Sequence, residues 1–278
     1  MRTAVENAQL ALLLEVASTP KPGNVDRHRE YPDLRFEHFL AGAVGARDGL
    51  AALADTDVPL GEAFESAVAG MSRQTGGNTQ FGAVLLLAPL VRGAATGEDV
   101  LVAAPAAVEA TTVADAVGFY AAFDHVDVAV RDLPADLAVP DVRLGSDAAA
   151  ELRDRDLTLS DVMAASADRD GIAAEWVEGF PRTVETADRI AAADGPVTDA
   201  AARIALELLA TELDTFVVTQ HGRETAVEVR DRAEAVLEGE GDVEAFADDL
   251  VARRINPGTT ADVLAGGLFV ALQAGLEV

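Results

Sequence analysis

The chain has 278 residues and is 50% hydrophobic, yet it carries 48 acids against 21 cations, a net charge of −27, and no cysteine. The apolar half excludes a disordered acidic chain, the scarcity of cations excludes a basic face for nucleic acid, and the lack of cysteine excludes disulfides and thiolate metal sites. Surplus carboxylate is tolerable where molar salt shortens the Debye length to about 3 Å, so the composition predicts a halophile's cytoplasmic protein.

Residues 3–17 place Val5, Leu12, Leu13 and Val16 near one face, and Thr19-Pro20 ends the run. Glu6 and Asn7 precede the apolar stretch and no small-residue cleavage site follows it, so the segment reads as an amphipathic helix rather than a signal peptide. A polar loop over 18–34 holds the only lysine, Lys21, inside Thr19-Pro20-Lys21-Pro22-Gly23-Asn24-Val25-Asp26. Every other cation is arginine, and the prolines, glycine and aspartate predict a rigid, exposed turn that fixes the ammonium and the carboxylate.

Further helices are predicted at 36–54, 60–72, 79–97, 112–124, 160–178, 181–193, 198–220, 222–238, 243–253 and 260–276. Residues 79–91 are apolar on every side, which predicts a buried central helix. The most apolar stretch contains Pro89 and is too short to span a bilayer, so no membrane is expected. The helix start, Gly76-Gly77-Asn78-Thr79, reads either as a plain cap or as an anion-holding helix end. Val126 to Val130 alternates as an extended linker or one isolated strand, and 131–150 is the softest part of the chain.

Within 198–220, Glu207, Asp214 and His221 recur every seventh residue, a polar line on an otherwise apolar helix. That line either faces solvent or serves a metal or a buried network. Glu175, just before Gly179-Phe180-Pro181, is either an exposed helix acid or a functional one. Asn256-Pro257-Gly258-Thr259-Thr260-Ala261-Asp262 joins a turn to hydroxyls able to cap the last helix, with an acid in its first turn. The expected fold is all-α, a single compact multi-helix bundle with a central buried helix, in one domain over 1–278. Whether its apolar helices also support a homo-oligomer stays open.

No phosphate loop, dinucleotide fingerprint, zinc-protease helix or nucleophile elbow is present. What remains is a set of short polar motifs, each beside a helix. Lys21-Pro22-Gly23-Asn24-Val25-Asp26, Gly77-Asn78-Thr79 through Gly82, Gly179-Phe180-Pro181, Asp214-Thr215 and Pro257-Gly258-Thr259-Thr260-Ala261-Asp262-Val263-Leu264-Ala265 together resemble triphosphoribosyl-dephospho-coenzyme A synthase over nearly the whole chain.

The resemblance implies an all-α enzyme in which 3′-dephospho-coenzyme A displaces adenine from ATP, with Mg²⁺ offsetting the triphosphate. Attack by a 2′-hydroxyl on the ribose C1′ requires a base or oxocarbenium-stabilising carboxylate and help for the departing adenine. On this reading Lys21, Asp26, Glu175 and Asp214 are catalytic candidates. Gly23, Asn24, Asn78, Thr79, His221 and Arg223 would bind the nucleotide, and Asp33, Asp214 and Asp262 the metal. The partners expected are small nucleotides alone.

The chain also departs from the family pattern. Gln80-Phe81 stands where the family has His-Lys, Phe216 where it has Asn, Asn256 and Thr259-Thr260 where it has Ser and Gly-Ser, and the histidine expected before Asp33 is missing. Two alternatives stay open: a Mg²⁺-dependent N-ribosyl hydrolase or transferase on another nucleotide, and a non-catalytic nucleotide-binding protein.

Overall fold

The computed structural model describes residues 2–130 and 138–278. Helices are the only regular elements among the described residues, which contain no strand. Helix α1 (Ala4–Ala17) opens with a capping box in which Thr3 and Glu6 satisfy each other's backbone amides. The stretch predicted as one helix over 36–54 is α2 (Phe36–Gly45) and α3 (Arg47–Leu53), broken at Ala46. Gly45 lies where its bend meets α4 (Leu60–Met71), and a Cβ there would come 2.2 Å from the Gly70 carbonyl oxygen.

Helix α5 (Phe81–Ala95) is buried on all sides from Ala83 to Val91, as its composition requires. It is followed by α6 (Val100–Glu109), which the sequence pattern did not announce. That helix is rich in alanine and contains Pro105, so its periodicity is weak. Helix α7 (Val113–Ala121) leads through a 3₁₀ turn into 126–130, which forms no strand. Part of the soft segment expected over 131–150 lies outside the described residues. The rest is not a linker: a 3₁₀ stretch (Val142–Ala148) and α8 (Ala149–Asp154) occupy it.

The remaining long predictions also divide. Residues 160–178 form α9 (Leu159–Ser166) and α10 (Gly171–Glu178), because Asp170 accepts hydrogen bonds from the Ile172 and Ala173 amides and starts a new helix. After α11 (Pro181–Ala192), residues 198–220 form α12 (Val197–Thr211) and α13 (Thr215–His221), separated by Glu212 to Asp214. The polar line expected through Glu207, Asp214 and His221 therefore does not exist. Helices α14 (Arg223–Leu237), α15 (Val243–Ala252) and α16 (Gly258–Gln273) complete the chain.

Two helices, not one, form the centre. Residues Val263 to Leu272 of α16 are buried without interruption, and α16 packs on α5, α1 and α11. Gly267 permits the contact with α11, since a Cβ there would meet the Thr186 methyl at 2.3 Å. A second apolar cluster, including Leu209, Val217, Val229, Phe246 and Leu250, joins α12 to α15. The first and last parts of the sequence are thereby brought together around the start of α16.

Candidate active site

The lysine turn is folded inward, contrary to the exposed turn that its composition predicted. Gly23 has φ of +75°, and a Cβ on it would lie 2.2 Å from the Ile255 carbonyl oxygen, so the turn packs directly on the segment leading into α16. Asn24 donates from Nδ2 to the Pro257 carbonyl at 3.2 Å, which uses its amide to hold that junction. Lys21 is left 2% exposed, with its ammonium paired to Glu15 of α1. Burial raises the Glu15 carboxyl above its ordinary value, and the Lys21 charge opposes the shift.

Asp26 is buried beside the pair but is filled by its own loop. Its Oδ2 accepts from the Thr19 hydroxyl at 2.8 Å and the Lys21 amide at 3.1 Å, and its Oδ1 from the His28 and Arg29 amides at 2.8 and 2.9 Å. Glu175, also buried, accepts from the Arg182 amide and Nε, both at 3.1 Å, and from the Thr183 amide at 2.9 Å. It holds the start of α11 to α10. Asp214 caps α13 through the Phe216 and Val217 amides, both at 2.9 Å, and ties it to α16 through the Thr260 amide and hydroxyl, both at 2.8 Å. Burial raises its carboxyl, and these donors oppose the shift.

The oxygens of these three carboxylates, the catalytic candidates of the sequence, accept from backbone and side-chain donors of the protein. Asp214 lines a smaller cavity beside Thr259 and Thr260, but none of the three, nor Lys21, lines the cavity lined by Asp262 and Thr215.

That cavity, about 250 Å³, opens where four helices begin. Gly82 of α5, Ile172 and Ala173 of α10, Thr215 of α13 and Thr259 of α16 line it from their first turns, and Asp262 of α16 from just beyond its own. A hydroxyl chain links three of these starts: the Gly171 amide donates to Thr215 Oγ1 at 3.0 Å, and Thr215 Oγ1 lies 2.9 Å from Thr259 Oγ1. Another group of lining residues is apolar. Phe81, Phe119 and Phe123 meet edge to face there, with Phe81 and Phe123 centroids 4.9 Å apart and Phe119 and Phe123 5.3 Å apart. The Gln80-Phe81 departure belongs to this packing: Phe81 joins the aromatic cluster, and Gln80 turns away to donate to the Leu12 carbonyl at 3.2 Å.

Asp262 lies at the junction of the two central helices. A Cβ on Gly82 would sit 2.0 Å from its Oδ2, so only glycine lets the carboxylate approach the α5 backbone. Burial first, then the negative charges of Glu15, Asp214 and Asp170, push the Asp262 carboxyl well above the ordinary carboxylate range; the Ala83 amide opposes this. Asp170 lines the same cavity, and its Oδ1 caps α10 while its Oδ2 has no donor among the described residues. Asn78 and Thr79 line it too. Asn78 Oδ1 accepts from the Phe81 amide at 3.1 Å, two residues ahead of Gln80, the N-cap of α5, and Thr79 Oγ1 is buried with no hydrogen-bond partner among the described residues.

The expected metal ligands do not assemble. Asp33 is exposed and paired with Arg254 at 3.2 Å, a bond that holds its carboxyl below the ordinary value. Asp214 is filled, and among the described residues no three acids or histidines are grouped as metal ligands. Two carboxylates, Asp170 and Asp262, do share the cavity, a set suited to Mg²⁺ that keeps most of its ligands from water and phosphate. His221 and Arg223 lie outside the cavity lining, with His221 Nε2 3.0 Å from the Arg254 carbonyl. Asp170 was not singled out in the sequence, although Asp170-Gly171 before Ile172-Ala173 is a legible helix start.

Comparison with known proteins matches residues 1–277 to the family model of ATP:dephospho-CoA triphosphoribosyl transferase. A solved structure of a provisionally named triphosphoribosyl-dephospho-CoA synthase from Archaeoglobus fulgidus superposes with a TM-score of 0.71 at 28% identity, covering 87% of this chain and 100% of that one. No curated protein matches.

Proposed function

The chain belongs to the ATP:dephospho-CoA triphosphoribosyl transferase family and moves a triphosphoribosyl group to dephospho-CoA; we propose that ATP is the donor, adenine the leaving group and the Asp170–Asp262 cavity the place of reaction. The acceptor 2′-hydroxyl oxygen forms a bond to C1′ of the ATP ribose as the C1′–N9 bond breaks. The hydroxyl proton passes to a base, and the electron pair of the broken bond leaves with adenine, which takes up a proton.

Asp262 is the residue we assign as base. The observation that carries this assignment is its position in the cavity wall against Gly82; burial and its acidic neighbours also raise its carboxyl above the ordinary carboxylate range. A raised carboxyl is a stronger base near neutral pH than an ordinary one, and its negative charge also suits an oxocarbenium-like centre. Glu15, paired to Lys21, is the first of the charges that act on it.

Asp170 is assigned to Mg²⁺ together with substrate phosphate oxygens. The ion, when bound, offsets triphosphate charge that the cavity has little cationic means to meet. First-turn amides of α5, α10 and α16 add a positive field at the same place. Asp26, Glu175 and Asp214 are assigned to positioning, since each fixes a loop or helix start from which the cavity is built. The excess of 48 acids over 21 cations supports work in concentrated salt.

Mass spectrometry of the products tests this reading. Incubation with ATP, Mg²⁺ and dephospho-CoA is expected to give free adenine and a triphosphoribosylated acceptor, and the acceptor's 2′-deoxy analogue is expected to give neither. Adenine with free ribose triphosphate would indicate N-ribosyl hydrolysis and refute the transfer.

A further inference from the structure

Arg169, in the turn between α9 and α10, is the one cationic side chain among the described residues that line the cavity. Among the described residues it has no carboxylate partner, in a chain with more than two acids for each cation. Other arginines of similar burial are saturated with acids. Arg182 reaches Glu175 and Glu212, Arg189 reaches Glu185 and Glu207, and Arg232 reaches Glu228 and Asp249. Arg92, which also lacks an acid, is filled by two backbone carbonyls.

Arg169 makes one hydrogen bond, from Nη2 to the Ala165 carbonyl at 3.1 Å. That bond completes the end of α9 and leaves most of its donors unmet. Its neighbour Asp170 turns to the Ile172 and Ala173 amides, both at 2.9 Å. Half-buried guanidinium donors lose water without regaining a partner, so such a position is stable mainly when an anion arrives. Where acids are so plentiful, a guanidinium on a cavity wall without one is matched to an anion from outside the chain.

We propose that Arg169 contacts the polyphosphate chain of a substrate, either the triphosphate of the donor or the diphosphate of the acceptor, through the planar donor fork that suits phosphate oxygens. This rests on the cavity being the site of transfer, but its binding test does not depend on turnover.

Calorimetry with inorganic tripolyphosphate and with pyrophosphate, at one fixed salt concentration, compares the wild type with Arg169→Gln and Arg169→Lys. Arg169→Gln is expected to weaken tripolyphosphate binding by about 10-fold or more, the range for a lost charged hydrogen bond, and Arg169→Lys to recover part of it. In steady state, KM rises for ATP if the contact is to the triphosphate and for dephospho-CoA if it is to the diphosphate, with kcat changed much less. A lower melting temperature with unchanged binding and unchanged KM for both substrates would mean that Arg169 only closes α9, and would overturn the proposal. So would a wild type that binds neither anion. If the wild type binds tripolyphosphate but gives no transfer, the reaction assignment fails while the variants still decide the role of Arg169.

Discussion

Asp262 is held in a state that favours chemistry at the expense of stability. Its carboxyl titrates above the ordinary value in the folded chain and at that value when unfolded, so folding takes up a proton between the two. Stability therefore falls as pH rises from the ordinary carboxyl value through the raised one. Asp262→Asn removes this penalty. The variant is expected to melt higher than the wild type near about pH 8, with the difference closing near about pH 3, below the ordinary carboxyl value, while kcat drops by about 100-fold or more. Equal melting temperatures at both pH values would contradict the raised carboxyl. Lys21 poses the complementary case. Lys21→Met leaves Glu15 buried without its counter-charge and is expected to cost about 3–5 kcal/mol, whereas adding Glu15→Gln should restore much of it. Additive losses in denaturant melts would argue against the pair. The oddity of a single lysine was legible in sequence, but its direction was not, because the contact that turns it inward is made by Ile255 and Pro257 far along the chain.

Helix starts make the site, and the least legible parts of the sequence are the breaks that create them. Residues 160–178 and 198–220 each have enough apolar periodicity for one helix, yet Asp170 and Asp214 interrupt them by accepting two amides apiece. A capping aspartate within an apolar run competes locally with helix continuation, and periodicity alone does not record which side prevails. Reading Asp214 as an interior residue put it in line with His221; as a cap it binds α13 to α16 instead. Asp214→Ala leaves the Val217 amide and the Thr260 amide and hydroxyl without their acceptor, the Phe216 amide keeping Thr259 Oγ1, and is expected to cost on the order of 3 kcal/mol, whereas Asp214→Asn, which keeps an acceptor for the α13 amides, should cost less. Thermal melts check this, and an alanine variant as stable as the asparagine one would contradict it. The all-α class was legible from periodicity, as was the buried α5. The missed α6 is alanine-rich with an internal proline, and gives little pattern to read.

Across the whole molecule, the motifs that resemble one family lie far apart in sequence and meet around α16, which carries Asp262 into contact with α5. The lysine turn packs on the segment leading into α16, and the Glu175 and Asp214 motifs fix neighbouring helices. Motif order thus identified the family, whereas the division between residues that line the cavity and residues that build it depends on which oxygens the fold consumes. On the proposed reading, the acidic chain meets an anionic substrate with helix starts, an arginine that has no acid among the described residues and a place for Mg²⁺ in lieu of a basic surface. The direct test is the rate of adenine release from MgATP as dephospho-CoA is varied, for the wild type and Asp262→Asn in parallel. Release that depends on the acceptor, equals the product formed and falls at least about 100-fold in the variant is predicted. Acceptor-independent release, or an Asp262→Asn variant with wild-type turnover, would contradict transfer in this cavity.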